Sequence, residues 1–228
     1  RGGFRFNKNT ADSRFVVGLQ VQRSNLDGTI LDRDEHIENG YTHVLPSADY
    51  RIQLDEAKTL NLRYTTSTRE PSMTELQPFA DNTNPIRTYI GNPNLTPEYS
   101  HSFNADYRFF DQFSFVNLFT YLRFSYTNDD IVQSRVVDEQ ALQTVMPVNI
   151  DHSWSTNGGL TYGRPIRSIC ARINLNYSFN YTRGVELLQQ LEHNSSVMRH
   201  KIDASTNNRE HDNYKRRSAE LYSVQLQT

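Results

Sequence analysis

From Ala171 to Thr182 the chain alternates without a slip. Ala171, Ile173, Leu175, Tyr177, Phe179 and Tyr181 hold one parity; Arg172, Asn174, Asn176, Ser178, Asn180 and Thr182 hold the other. A period of two puts the sets on opposite faces of a β-strand, and a helix would scatter both around its axis. The pattern recurs with Phe15, Val17, Leu19 and Val21, with Ala48, Tyr50, Ile52 and Leu54, with Leu60, Leu62 and Tyr64, and with Phe103, Ala105, Tyr107 and Phe109. Such segments predict an all-β chain of about ten strands. Many reach the roughly 9–11 residues that a tilted strand needs to cross a bilayer. Residues 113–126 are apolar on both parities, which predicts a bulge or a covered inner face. The last two strands are expected over 198–206 and 214–226.

The connections sort by length. Short ones fall near 8–12, 55–58, 110–112, 163–168 and 207–212, and long ones at 24–40, 69–98 and 184–196. A tight tip near 138–141 sits on two strands expected to overrun the membrane. Alternate connections of an up-and-down meander lie at the same end, so one rim is trim and the other elaborate. Outer-membrane barrels have that asymmetry, with short periplasmic turns and longer extracellular loops. A Greek-key sandwich has no physical reason for it. The polar parity carries Arg51, Arg63, Arg108 and Arg172, the content of a barrel lumen or of the solvated face of a half-buried sheet.

Composition narrows the classes further. A net charge of -2 and a pI near 6.4 give no basic footprint for nucleic acid. Mean hydropathy is -0.72, and no run approaches the ~20 apolar residues of a membrane helix. A barrel gives only alternate residues to lipid and needs no such run. Cys170 is the sole cysteine, so neither a disulfide framework nor a cysteine metal cluster is expected. The chain begins at Arg1 without a leader pattern, as expected of a processed protein or an internal piece of a longer one. The seven histidines show no HExxH spacing, and no nucleophile elbow, phosphate loop or dinucleotide fingerprint appears. No catalytic residue, metal or cofactor is therefore assigned. The acidic group Asp32, Asp34, Glu35, His36 and Glu38 reads as a solvated loop, and Lys215–Arg217 as a rim or turn. Trp154, Tyr41, Tyr64, Tyr126, Tyr162 and Tyr181 fit anchors at the lipid–water interface.

The long connection 69–98 carries the most specific string. Pro93 and Pro97 fix φ and bias Asn92 and Thr96 toward extended backbone. Asn92 and Asn94 favour turns through side-chain to backbone hydrogen bonds. The run reads as a stiff device that aims the strand beginning at Glu98, and its residues are expected to shape the loop. Arg69-Glu70-Pro71-Ser72, then Leu76, Pro78 and Pro85, then Gly91, Asn92, Pro93, Asn94, Leu95, Thr96, Pro97 and Glu98 closely resemble the barrel of TonB-dependent outer-membrane receptors of the Bacteroidetes type. Residues 41–50 and 148–166 resemble it too, and the likeness is weakest after His193.

The resemblance implies an antiparallel up-and-down transmembrane β-barrel of about 22 strands, of which residues 1–228 form part of one barrel domain without the plug. It implies nutrient uptake across the bacterial outer membrane, with no enzymatic activity. Its partners would be outer-membrane lipid, a TonB complex reached through a plug domain not present in this chain, and a surface lipoprotein. Aromatic and arginine side chains dominate binding hot spots, which selects Phe79, Arg87 and Tyr89 as ligand contacts. Two alternatives stand beside this: a non-transporting barrel that acts as a surface scaffold or docking protein, and a soluble carbohydrate-binding β-sandwich.

Overall fold

A computed structural model of the chain describes residues 2–30, 35–84, 86–138, 140–188 and 191–208. Strands β1 (Gly2–Asn9), β2 (Ser13–Ile30), β3 (Glu35–Asp55) and β4 (Lys58–Arg69) come first. A short helix α1 (Met73–Leu76) and a small hairpin, β5 (Ala80–Asn84) and β6 (Arg87–Ile90), follow. The chain then forms β7 (Glu98–Asp111), β8 (Val116–Val137), β9 (Gln143–Ile166), a 3-10 turn (Arg167–Ile169), β10 (Ala171–Leu188) and β11 (Leu191–Asn208). Leaving out β5 and β6, the other nine strands pair antiparallel in chain order, each with the next. That is the up-and-down meander, as a single sheet, so the soluble sandwich reading fails. The strand expected over 214–226 lies outside the described residues.

The wall is dressed inside out. On β2, Phe15, Val17, Leu19 and Val21 are 38–48% exposed, whereas Val16 and Gln22 on the other parity are buried. Register carries the apolar parity around the sheet: Phe6, Val17, Ala48, Tyr64, Phe103, Phe124, Thr156 and Tyr181 form one continuous row. An apolar convex face left open makes sense only against hydrocarbon. Toward the long-connection end the same face turns aromatic. The His101 ring meets Tyr64, Tyr99 and Tyr126, and Trp154 meets Phe124 and Tyr181. From Trp154 to Tyr162 on the same strand is roughly 20 Å along the membrane normal at ordinary rise and tilt. Tyr41 departs from the expected belt, because it shares its parity with buried Leu45 on the inner face of β3.

Two expectations change in detail. The described residues of the connections at 24–40 and 184–196 are paired strand, where long loops were expected. β2 and β3 stay paired out to Ile30↔Glu35, and β10 and β11 out to Leu188↔Leu191. Above the membrane both faces of a ribbon are wet, so the apolar parity disappears although the ladder continues. The segment 113–126 carries no bulge, since β7 and β8 pair without a register shift from Tyr99↔Asn128 to Asp111↔Val116. It is apolar on both parities because Phe119 and Tyr121 stand on the inner face beneath guanidinium groups. Arg108 lies 5.7 Å from the Phe119 ring centre and Arg123 5.1 Å from that of Tyr121.

The sheet does not close among the described residues: β1 pairs only with β2, and β11 only with β10. Hydrocarbon cannot satisfy an open strand edge, so this arc needs further strands to complete a wall.

The two faces predict opposite tolerance of charge. In the full-length protein refolded into liposomes, Leu122→Lys should lose about 2–4 kcal/mol near mid-membrane, whereas nearby inner-face Ser125→Lys should stay within about 1 kcal/mol. Denaturant titration followed by heat-modifiable gel mobility measures both, and the reverse order would mean that the faces are swapped.

Candidate functional site

The buried apolar residues that a soluble domain would keep between its layers are found here mostly where the connection between β4 and β7 packs on β9. Leu76, Leu95 and Pro71 from that connection are buried with Val145 and Pro147 of β9. Ser72 starts α1 with a reciprocal capping box: its hydroxyl accepts from the Glu75 N–H, and Glu75 accepts from the Ser72 N–H at 2.8 Å. A Cβ at Gly91 would fall 2.2 Å from the Gln77 carbonyl oxygen, so only glycine lets the returning chain cross α1 this closely. Asn92 then donates its backbone N–H to the Glu75 carbonyl at 2.6 Å and its side-chain amide to the Pro147 carbonyl at 3.1 Å. Its Oδ1 accepts from the Asn94 N–H. The Ser72 and Asn92 side chains thus hold backbone of the connection and of β9.

Arg69 joins the connection to the wall. Its guanidinium binds Glu98 at 2.7 Å, its register partner across the β4–β7 ladder, and Glu75 of α1 at 3.2 Å. Glu98 also accepts the Ile131 N–H of β8 at 2.9 Å. Partial burial pushes the Glu75 carboxyl up, but the Ser72 N–H and hydroxyl and then Arg69 outweigh it and hold it below the ordinary range. Burial likewise raises Glu98, and Arg69 and the Ile131 N–H bring it below the ordinary range. The Glu98 hydrogen bond raises Arg69.

The connection crosses the concave side of the wall. Glu70 accepts from the Gln22 amide at 3.2 Å and from the Ser24 hydroxyl, both on the inner parity of β2. A Cβ at Gly28 of β2 would run into the Met73 thioether. At the far side, β6 pairs parallel with β9 through Arg87↔Gln143 and Tyr89↔Val145. Asn149 of β9 accepts the Thr96 N–H at 2.9 Å and donates to the carbonyls of Thr96 and Asp129. Asp129 has a left-handed backbone (φ 53) at the point where β7 no longer flanks β8. Residues 70–97 thus form a strap from β2 to β9 across the mouth of the inner face.

The three predicted contact residues separate. Arg87 and Tyr89 share a cleft of about 260 Å³ with Asp81 and Asn84 of β5, and Phe79 lies outside it, half-buried. Arg87 donates to Gln133 of β8 at 3.2 Å, while its buried Nε has no hydrogen-bond partner. Burial and the Glu75 charge push the Tyr89 hydroxyl up, which keeps it a donor. Below the strap, a polar recess of about 460 Å³ on the inner face gathers Arg14, Arg51, Arg63 and Arg123 with Asp49 and Asp106. Arg63 binds Asp49 at 2.8 Å. Four cations against two anions leave the recess basic. Arg108 and Arg172 share this parity, and Arg172 donates to Asn117 at 2.9 Å. Sequence reasoning missed Gln133, Asn149 and Pro147 as supports of the strap. The overrunning strands near 138–141 were the one signal pointing to them.

The strap should loosen in acid. Glu75 and Glu98 have depressed folded values, so their contribution is complete above the ordinary carboxylate range and is lost as pH falls through those values, below roughly pH 4. Protease cleavage within 70–97 should rise there while the wall stays folded. In Arg69→Gln the onset should move to higher pH, and an unchanged onset would contradict the anchoring role of Arg69.

Comparison with known proteins agrees with this geometry. The sequence model of the outer membrane protein beta-barrel family matches residues 3–216. The crystal structure of the siderophore receptor PirA from Acinetobacter baumannii is similar in fold, with TM-score 0.50 and 14% identity over 89% of this chain and 30% of that one. The chain therefore spans less than a third of that receptor's length. No curated protein sequence matches it. With a family match over nearly its whole length and an apolar wall facing outward, the chain belongs to the outer membrane protein beta-barrel family and resides in the bacterial outer membrane.

Proposed function

We propose that this wall is part of a TonB-dependent receptor that imports a scarce nutrient across the outer membrane of a Bacteroidetes-type bacterium. The strap of residues 70–97 carries the reading: it presents Arg87 and Tyr89 in a cleft at the elaborate rim, above a basic recess. A ligand rich in oxygen acceptors would meet the Arg87 guanidinium and the Tyr89 hydroxyl first and the inner-face arginines next. A TonB complex, acting through a plug domain, would supply the energy for passage, and a surface lipoprotein would deliver or retain the ligand. Because PirA is a siderophore receptor, a ferric siderophore is the first substrate to test.

The experiment is uptake of radiolabelled ferric siderophores and of other scarce nutrients by a deletion strain that carries the full-length gene. The wild-type gene should restore uptake of one of them, and collapse of the proton gradient should abolish it. Arg87→Ala should raise the half-saturating concentration about tenfold, the loss expected of a hot-spot arginine. Surface binding without energised uptake would favour the docking-scaffold reading and overturn transport. Orientation has its own test on intact cells with an impermeant thiol reagent. Gln140→Cys at the β8–β9 tip should label, whereas Glu56→Cys and native Cys170 at the short-turn rim should label only after the outer membrane is permeabilised. Equal labelling of all three would defeat the sidedness.

A further inference from the structure

At the short-turn rim, β8 and β9 part company. Their ladder ends at Asn117↔Gly163, while β9 continues beside β10 to Ile166↔Ala171. The parting opens a groove of about 940 Å³, lined by Phe113, Val116, Tyr162, Arg164, Arg167 and Ile173 among others. Val116, Tyr162, Arg164 and Ile173 all hold the lipid-facing parity of their strands. The groove therefore opens on the outer surface, where the apolar band meets the polar rim.

Its chemistry is divided in two. Phe113 is 80% exposed and Ile173 37%, which is apolar surface at the edge of the bilayer. Arg164 is exposed and forms no ion pair among the described residues. Arg167 lies in the 3-10 turn and donates one N–H to the Phe113 carbonyl at 3.1 Å. That bond ties the two turns together and fixes the guanidinium, whose other donors have no partner among the described residues. The nearest acid in the β7–β8 turn, Asp111, accepts from the Phe113 N–H at 2.9 Å and from the Ser114 hydroxyl at 2.5 Å, so its oxygens are engaged within the turn.

We propose that this groove is the binding site of one anionic phospholipid of the periplasm-facing leaflet. Arg164 and Arg167 take the phosphate, and an acyl chain runs along Phe113, Val116, Tyr162 and Ile173. Two guanidinium groups above an apolar channel complement a phosphodiester that carries a hydrocarbon tail. A free anion would leave the channel empty, and a lipid without a phosphate would leave both cations without a partner.

The test is lipid titration of the detergent-purified full-length protein by native mass spectrometry. Phosphatidylglycerol should occupy one tight site per barrel. Diacylglycerol, which lacks the phosphate, and glycerol phosphate, which lacks the chains, should bind no better than background. Arg164→Gln with Arg167→Gln should weaken phosphatidylglycerol about tenfold, as loss of charge-assisted hydrogen bonds implies. Lys58→Gln, a cation on the same rim outside the groove, should leave it unchanged. Heat-modifiable mobility verifies the fold; should the double variant fail it, Arg164→Gln alone serves, since that side chain supports nothing in the wall. Equal binding by wild type and the arginine variant, an equal loss in Lys58→Gln, or tight glycerol phosphate binding would each overturn the assignment.

Discussion

Hydrocarbon offers a backbone amide no hydrogen-bond partner, and that one constraint organises this chain from β1 to β11. Every peptide group at membrane depth must find its partner in a neighbouring strand, so the nine wall strands run as one antiparallel sheet, each paired with the next. Once the backbone is satisfied, side chains sort by parity. Phe15, Val17, Leu19 and Val21 face outward, and Arg14, Arg51, Arg63 and Arg123 with Asn61 and Asn104 face the inner side. The usual rule of apolar residues inside is reversed because the solvent outside is apolar. The same constraint makes the free edges of β1 and β11 incompatible with a complete membrane wall.

Above the bilayer water returns and the logic reverts to that of a soluble protein. The strap of residues 70–97 has its own small core, Leu76, Leu95, Val145 and Pro147, its own helix cap at Ser72, and an ion-pair clasp at Arg69. Most of its polar contacts go to backbone, which fixes the shape of the connection and leaves few side chains for a ligand. The exceptions stand together on β6, where Arg87 and Tyr89 line one cleft.

How much of this the sequence disclosed follows from where solvent changes. Within the membrane the faces meet different media, and parity alone located β2, β3, β7 and β10 and their outward sets. Above it both faces of a ribbon are wet, so the extensions at 24–30 with 35–40 and at 184–188 with 191–196 read as loops although they are paired. The shaping role of Gly91, Asn92 and Asn94 was legible because turn chemistry is local. Contacts of Asn92 with Pro147 and of Thr96 with Asn149 were not, since they join residues more than fifty positions apart and follow from the path of β9 over the strap. Of the three aromatic or arginine residues picked for ligand contact, Arg87 and Tyr89 share a cleft, and Phe79 misses it. Composition names the residue type, and only the β5–β6 register decides which side chains converge.

The account rests on which parity touches lipid, and β7 offers the cleanest place to ask. Spin labels placed singly from residue 99 to residue 109 of the full-length protein in liposomes report collisions with oxygen, which concentrates in hydrocarbon, and with a water-soluble nickel chelate. Oxygen contact should peak at the odd positions that include Phe103, Ala105 and Tyr107, with the chelate favouring Asn104, Asp106 and Arg108. Oxygen maxima at the even positions, or no two-residue period at all, would contradict a wall with its apolar side turned to the membrane.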